Sequence, residues 1–156
     1  MFDAAGARSS AVQVSHILRE KGREIVGIEG DLSMGEASRL LAARRIGAVI
    51  VRDPGGALTG ILSERDVVRA VAAEGAGALD RPVHAYMTRD VATCTEADTV
   101  DELMEMMTRR RFRHVPVVDG AKQLVGIVSI GDVVKTRIEE TVREAATLRD
   151  YISAAG

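Results

Sequence analysis

Two short strings carry the residue types best suited to chemistry. Ser63-x-x-Asp66 and Ser129-x-x-Asp132 each follow a Gly-Ile-hydrophobic run and stand where a helix would begin. A serine there accepts from the amide three residues on, and an acid one turn in faces the helix's positive end. Good capping therefore accounts for either string taken singly. The same geometry also makes a nucleotide site. Free N–H groups at a helix start bind phosphate, the hydroxyl bonds a phosphate or ribose oxygen, and the carboxylate accepts from both ribose hydroxyls.

The two strings belong to a longer duplication. Gly60-Ile61-Leu62-Ser63-Glu64-Arg65-Asp66-Val67-Val68 returns as Gly126-Ile127-Val128-Ser129-Ile130-Gly131-Asp132-Val133-Val134. The register holds without a gap from Ile46–Ala70 against Phe112–Thr136, and more faintly back to Ile17 against Val83. Duplication fixes the unit of architecture, here roughly 60 residues occurring twice. The chemistry belongs to two similar halves and the clefts between them.

A third cluster is the run Arg109-Arg110-Arg111-Phe112-Arg113-His114. Arg109 to Arg111 finish a helix, where cations oppose the C-terminal dipole and stay solvated. Arg113 and His114 stand at the start of a strand. Their first-half counterparts, Gly47 and Ala48, donate nothing from side chains, so the two clefts are chemically unequal. Phe112 is the lone interleaved aromatic, which argues against stacking on RNA.

Other chemistries lack a pattern. His16, His84 and His114 share no metal-ligand spacing with one another or with Cys94. Met104, Met106 and Met107 read as packing. There is no Gly-x-Ser-x-Gly, no P-loop and no paired carboxylate in a catalytic context.

These residues must be positioned by a small aliphatic scaffold. The 156 residues are 46% hydrophobic with only 3% aromatic and no Trp, so the core is built from Val, Ile, Leu, Ala and Met. With 21 basic against 23 acidic residues the net charge is −2, which disfavours nucleic-acid binding by overall charge. The lone Cys94 forms no intramolecular disulfide, and its plain reading is a small half-buried hydrophobe in a strand. The beginning of the chain lacks the basic and apolar regions of a signal peptide, and Ala48-Val49-Ile50-Val51 is far short of a membrane span. A cytoplasmic protein is expected.

The spacing predicts a loose tail over 1–12, a first repeat over 13–74, a linker over 75–81, a second repeat over 82–140 and a helical extension over 141–156. In the first repeat, 14–20 suggests a short amphipathic turn and 24–28 a strand. A helix follows over 34–45, then hairpin strands at 48–51 and 57–62 that turn at Asp53-Pro54-Gly55-Gly56, then a helix from Ser63 to Glu74. The second repeat predicts a short helix at 83–87, a strand at 90–93, a helix over 99–110 and strands at 115–118 and 123–128 turning at Asp119-Gly120. Each half is a β-α-β-β-α unit in a mixed α+β fold, with an apolar sheet face that requires a partner. The last helix continues an apolar stripe through Val134, Ile138, Val142, Ala145, Leu148 and Ile152. That stripe covers either the chain's own sheet or a second chain in a homodimer.

The order strand, Gly-h-h-Ser-x-x-Asp, helix, occurring twice, resembles the CBS domain pair, or Bateman module, over residues 14 to 140. Arg113-His114-Val115-Pro116-Val117-Val118-Asp119 followed by Leu124-Val125-Gly126-Ile127-Val128-Ser129-x-x-Asp132 is similar to that family's signature. The resemblance implies two repeats packed around a pseudo-two-fold axis, with clefts that bind adenosine ligands: AMP, ADP, ATP, NAD(H) or S-adenosylmethionine. It implies that Asp66 and Asp132 hold ribose hydroxyls, assisted by Ser63 and Ser129. Backbone near Ile25 and Val91 would read the adenine edge, and Arg113 and His114 would contact phosphate. Removing the Asp132 carboxylate is then expected to weaken nucleotide binding by roughly ten- to a hundredfold. No cofactor is required and no catalysis is implied. The implied role is regulatory sensing, passed to a dimer mate or to a regulated protein partner whose identity the sequence leaves open. The alternative is a ligand-free adaptor in which both Ser-x-x-Asp strings are caps only.

Overall fold

The computed structural model describes residues 12–155. Its elements are α1 (Val14–Lys21), β1 (Gly27–Glu29), α2 (Met34–Arg44), β2 (Ala48–Arg52), β3 (Leu58–Ser63), α3 (Glu64–Glu74), α4 (Val100–Arg110), β4 (His114–Val118), β5 (Leu124–Ser129) and α5 (Ile130–Ala155). Short 3₁₀ turns at Ala76–Asp80 and Val83–Ala85 join the halves. The expected linker is thus ordered, with Ala78 buried in the first repeat's core. The tail expected over 1–12 lies outside the described residues except for Val12. That residue packs against the second repeat's core and accepts from the Val100 amide at 3.0 Å.

The repeats agree down to backbone detail. β2 pairs antiparallel with β3, Ala48 opposite Ser63, with an irregularity between Val51 and Arg52. β4 pairs with β5, His114 opposite Ser129, with the same irregularity between Val117 and Val118. Both hairpins turn on an aspartate whose side chain accepts from the backbone: Asp53 from the Ala57 amide, Asp119 from the Ala121 and Gln123 amides, each at 2.9 Å. The left-handed turn position is Gly56 (φ 90°) in one hairpin and Lys122 (φ 62°) in the other. Arg45 and Arg111 both cap their helices in the left-handed region. Ser33 and Thr99 cap α2 and α4 by accepting from the Glu36 and Glu102 amides at 3.1 Å.

One expected strand does not form. In the first repeat β1 runs parallel to β2, and the Ile50 amide donates to Val26 at 3.1 Å. The residue in Ile50's place in the second repeat is Pro116, which has no N–H to donate. The strand expected at 90–93 therefore reduces to a single bridge of Cys94 with Val117. Three strands make one sheet and two the other.

The halves are joined by exchange. α1 precedes the first repeat in sequence, yet Val14, Ile17 and Leu18 pack with Leu103, Val115, Val117 and Val128 of the second. Conversely Val83, with Tyr86 and Met87, packs against Met34, Leu41, Val49 and Leu62 of the first. Each crossing segment passes over a strand glycine. A Cβ on Gly60 would stand 2.7 Å from Met87 Sδ and 2.8 Å from the Thr88 carbonyl; one on Gly126 would stand 2.7 Å from Leu18 Cδ2. The Gly in each Gly-Ile-h-Ser string is there for that close approach. Ala48 and Ile50, which point away from the first core by the strand's period of two, are buried as well, so β2 is covered on both faces.

Candidate functional site

Both Ser-x-x-Asp strings form complete capping boxes at helix starts. The Asp66 amide donates to Ser63 Oγ at 3.2 Å, while Asp66 Oδ2 accepts from the Ser63 amide at 2.9 Å and from its hydroxyl at 3.1 Å. In the second copy the three distances are 3.2, 2.8 and 3.0 Å. Capping alone leaves each carboxylate a second oxygen, Oδ1, for other partners.

The surroundings of the two boxes differ. Ser63 and Asp66 line a cavity of about 470 Å³ with Thr88, Val91, Arg113 and His114. Its walls therefore come from both repeats. Arg65, Arg69, Arg110 and Arg111 complete it, so five arginines with Arg113 face two acids, Glu64 and Asp66. Such a cleft attracts an anion with several acceptor oxygens, since guanidinium groups bind phosphate in planar, charge-assisted pairs.

Asp132 has another partner. Lys21, at the end of α1, places Nζ 2.7 Å from Asp132 Oδ2 and donates to the Ile127 carbonyl at 3.0 Å. Burial alone would raise the Asp132 carboxyl's pKa. The Lys21 ammonium and the Ser129 amide and hydroxyl outweigh it and hold the group below the usual carboxylate range. Among the described residues no ion pair engages Asp66.

His114 lies where the two environments meet. Burial first, then Lys21 and Arg113, lower its pKa against the opposing pull of Glu64 and Asp132, so the imidazole is neutral at pH 7. A Cβ on Gly47 would stand 3.0 Å from both the ring's Cε1 and Nε2 and from Glu64 Oε1. The bare glycine in the first repeat thus makes room for the histidine of the second. Cys94 is buried and its thiol is pushed up to about 12, by burial first and by Asp98 second, which makes it inert.

Of the residues singled out from the sequence, Ser63, Asp66, Val91, Arg113 and His114 come together around one cavity. Ser129 and Asp132 lie apart from it, with Lys21. Ile25, the counterpart of Val91, is half-buried between α1 and β1. The Val91 amide already donates to the Arg89 carbonyl at 3.0 Å. Sequence reasoning missed Arg65, Arg69 and Lys21. The arginines were detectable, since they sit four apart on the helix that Asp66 opens. Lys21 was not, because its place depends on the exchange of α1. Arg109 pairs with Glu105 as expected of a solvated helix end. Arg110 departs from that expectation: it lies 4.8 Å from the Phe112 ring centroid, and it lines the cavity with Arg111.

Among the described residues no group of His, Cys, Asp and Glu could hold a metal ion, and no helix is long and apolar enough to cross a membrane. Known proteins share this fold. A family profile described as the CBS domain matches twice, over residues 14–73 and 83–139. The fold is similar to a CBS-domain containing protein from Agrobacterium tumefaciens, 50% identical with a TM-score of 0.79 over 81% of this chain and 94% of that one. It is also similar to the CBS domain pair of a protein solved with 5-methylthioadenosine and S-adenosyl-L-methionine (27% identity, TM-score 0.74, 83% and 98% covered). A third is a CBS domain protein from Pyrobaculum aerophilum complexed with AMP (30% identity, TM-score 0.69, 78% and 89% covered). With two profile matches filling most of its length and these structures matching its whole repeat pair, this chain belongs to the CBS domain family, as a tandem pair of repeats around a pseudo-two-fold axis.

Proposed function

We propose that this protein is a regulatory sensor of adenine nucleotides that binds its ligand in the Asp66 cleft. Asp66 would accept from the ribose hydroxyls through the oxygen its cap leaves free, with Ser63 assisting. The adenine would lie along the backbone near Thr88 and Val91, and the phosphates would meet Arg113 and the surrounding arginines. The observation that carries this reading is the shared cavity: a ribose-type carboxylate from one repeat and a cluster of guanidinium groups, most from the other, around about 470 Å³. It favours AMP, ADP or ATP over ligands without phosphate such as methylthioadenosine. Asp132, equal to Asp66 in the repeat pattern, takes second place because Lys21 holds its carboxylate.

A ligand touching both repeats favours the relative orientation that completes its contacts, and that shift is what a dimer mate or a regulated protein would read. The test is a thermal-shift panel of AMP, ADP, ATP, NAD, S-adenosylmethionine and adenosine. The expected result is a rise in melting temperature for the phosphorylated ligands, absent in Asp66→Ala, since a ligand bound only by the native state must stabilise it. No shift with any compound would favour the second reading, a dimerisation module without a ligand. The exposed apolar face of α5 supports that alternative.

A further inference from the structure

A second difference between the repeats lies away from the Ser-x-x-Asp boxes. The repeat register sets Arg23 against Arg89, Glu96 against Gly30 and Val118 against Arg52. In the second repeat the arginine is satisfied internally, with Arg23 Nη2 donating to Glu96 Oε1 at 2.6 Å. In the first repeat the acid is replaced by a glycine and an apolar residue by a second arginine. What remains there is an open cavity of about 300 Å³ lined by Glu29, Gly30, Asp31, Arg52, His84 and Arg89. It lies at the carboxyl ends of β1 and β2, where Glu29 and Arg52 are register partners; that end of a parallel pair is where open sheets hold ligands. It shares no lining residue with the Asp66 cleft.

Both guanidinium groups lack an acid. The Arg52 side chain crosses β1 at Gly27, where a Cβ would stand 3.4 Å from its Nε, and that Nε is buried without a hydrogen-bond partner. A buried donor left unmade is costly, so a site that keeps one has an acceptor to offer it. Arg89 spends one bond, from Nη2 to the His84 carbonyl at 2.8 Å, and among the described residues pairs with no carboxylate. A bare anion does not suit the niche, because Glu29 and Asp31 stand on the same wall. Asp53 lines it too, but its Oδ1 already accepts from the Ala57 amide. Two unpaired guanidinium groups beside unpaired acids call for a ligand carrying both charges.

We propose that this niche binds the zwitterion of a free amino acid, its carboxylate between Arg52 and Arg89 and its ammonium group facing Glu29 and Asp31. The ligand carboxylate takes the part that Glu96 plays for Arg23 in the other repeat. Guanidinium groups hold carboxylates in planar, charge-assisted pairs, and a cavity of this size takes a small molecule.

The experiment is a thermal-shift panel of the standard amino acids, with acetate and methylammonium as the two halves of the zwitterion, on the unaltered protein, Arg52→Met and Gly30→Glu. One or more amino acids should raise the melting temperature, and neither half should. Gly30→Glu restores the internal acid of the second repeat and should abolish the rise. Arg52→Met keeps the stem over Gly27 and removes every donor; by titration calorimetry it should bind the same amino acid about tenfold or more weakly. It carries the test alone if a Cβ at position 30, which would stand 3.1 Å from His84 Cβ, is not tolerated. No rise with any amino acid would overturn the proposal. So would an equal rise with acetate, or a rise that Arg52→Met retains in full.

Discussion

The Asp66 and Asp132 clefts start from the same nine-residue pattern and end with different chemistry. Both boxes have the same geometry to within 0.1 Å. What distinguishes them arrives from elsewhere. α1 delivers Lys21 to Asp132, whereas the corresponding segment after α3 delivers Met87 and Thr88 to the Asp66 side. Arg113 and His114 line the Asp66 cavity, and their counterparts Gly47 and Ala48 have no polar side chain. Duplication made the two carboxylates alike, and the residues brought across the two-fold axis lined one cleft with arginines and gave the other an internal ion pair.

The largest effects concern the crossings themselves. Gly60→Ala puts a Cβ against the Thr88 carbonyl, whose own amide and oxygen bridge to Ile61 at 2.9 and 3.0 Å, so the backbone must move. Gly126→Ala meets only the end of the Leu18 side chain, which can rotate. Overpacking typically costs about 1–3 kcal/mol; Gly60→Ala is expected near or above the top of that range and Gly126→Ala near the bottom. Equal losses in urea unfolding would mean that the two crossings are equally tolerant, and the comparison would fail.

Next is the arginine-lined side of the Asp66 cleft. Arg113→Ala should weaken AMP binding by about tenfold, the scale of one charge-assisted bond, and leave adenosine nearly unchanged. Titration calorimetry with both ligands checks this, and equal losses for both would remove Arg113 from phosphate contact.

A smaller effect is expected at Lys21. Its ion pair with Asp132 is partly exposed, so Lys21→Ala should cost about 1 kcal/mol at neutral pH. The Asp132 carboxyl lies below its unfolded value of about 3.9, so its contribution is present above that pH and is lost as pH falls further. The difference between the two proteins should vanish in denaturation at acid pH. A difference that persists below the folded-state pKa would mean Lys21 acts by packing instead.

The smallest effect is at His114. Its lowered pKa keeps it neutral in the free protein, and a phosphate nearby would favour the imidazolium. AMP affinity in the unaltered protein should therefore rise, relative to His114→Gln, as pH falls from about 7.5 to about 6.5 around the usual histidine value. Parallel pH profiles would remove His114 from the phosphate's surroundings.

Much of this molecule was legible in its sequence. The repeat register from Ile46 and Phe112 carried the hairpins, the caps at Ser63 and Ser129 and the pairing of the halves. The missing strand before Cys94 was legible in principle, because Pro116 announces an absent donor beside it. The exchange was not: Ile17 and Val83 occupy equivalent places in both repeats, and an apolar helix face does not say which half it covers. The role of Lys21 was hidden for the same reason, since a lysine ending a short helix is ordinarily solvated, and 111 positions of sequence separate it from Asp132.

The most direct measurement is titration calorimetry of AMP into Asp66→Ala and Asp132→Ala side by side, with the unaltered protein as reference. Binding in the Asp66 cleft predicts a loss of roughly ten- to a hundredfold for Asp66→Ala and less than about threefold for Asp132→Ala, with one site per chain in the unaltered protein. Tight binding retained by Asp66→Ala and lost in Asp132→Ala would contradict it, because the ligand would then displace Lys21 and occupy the other cleft.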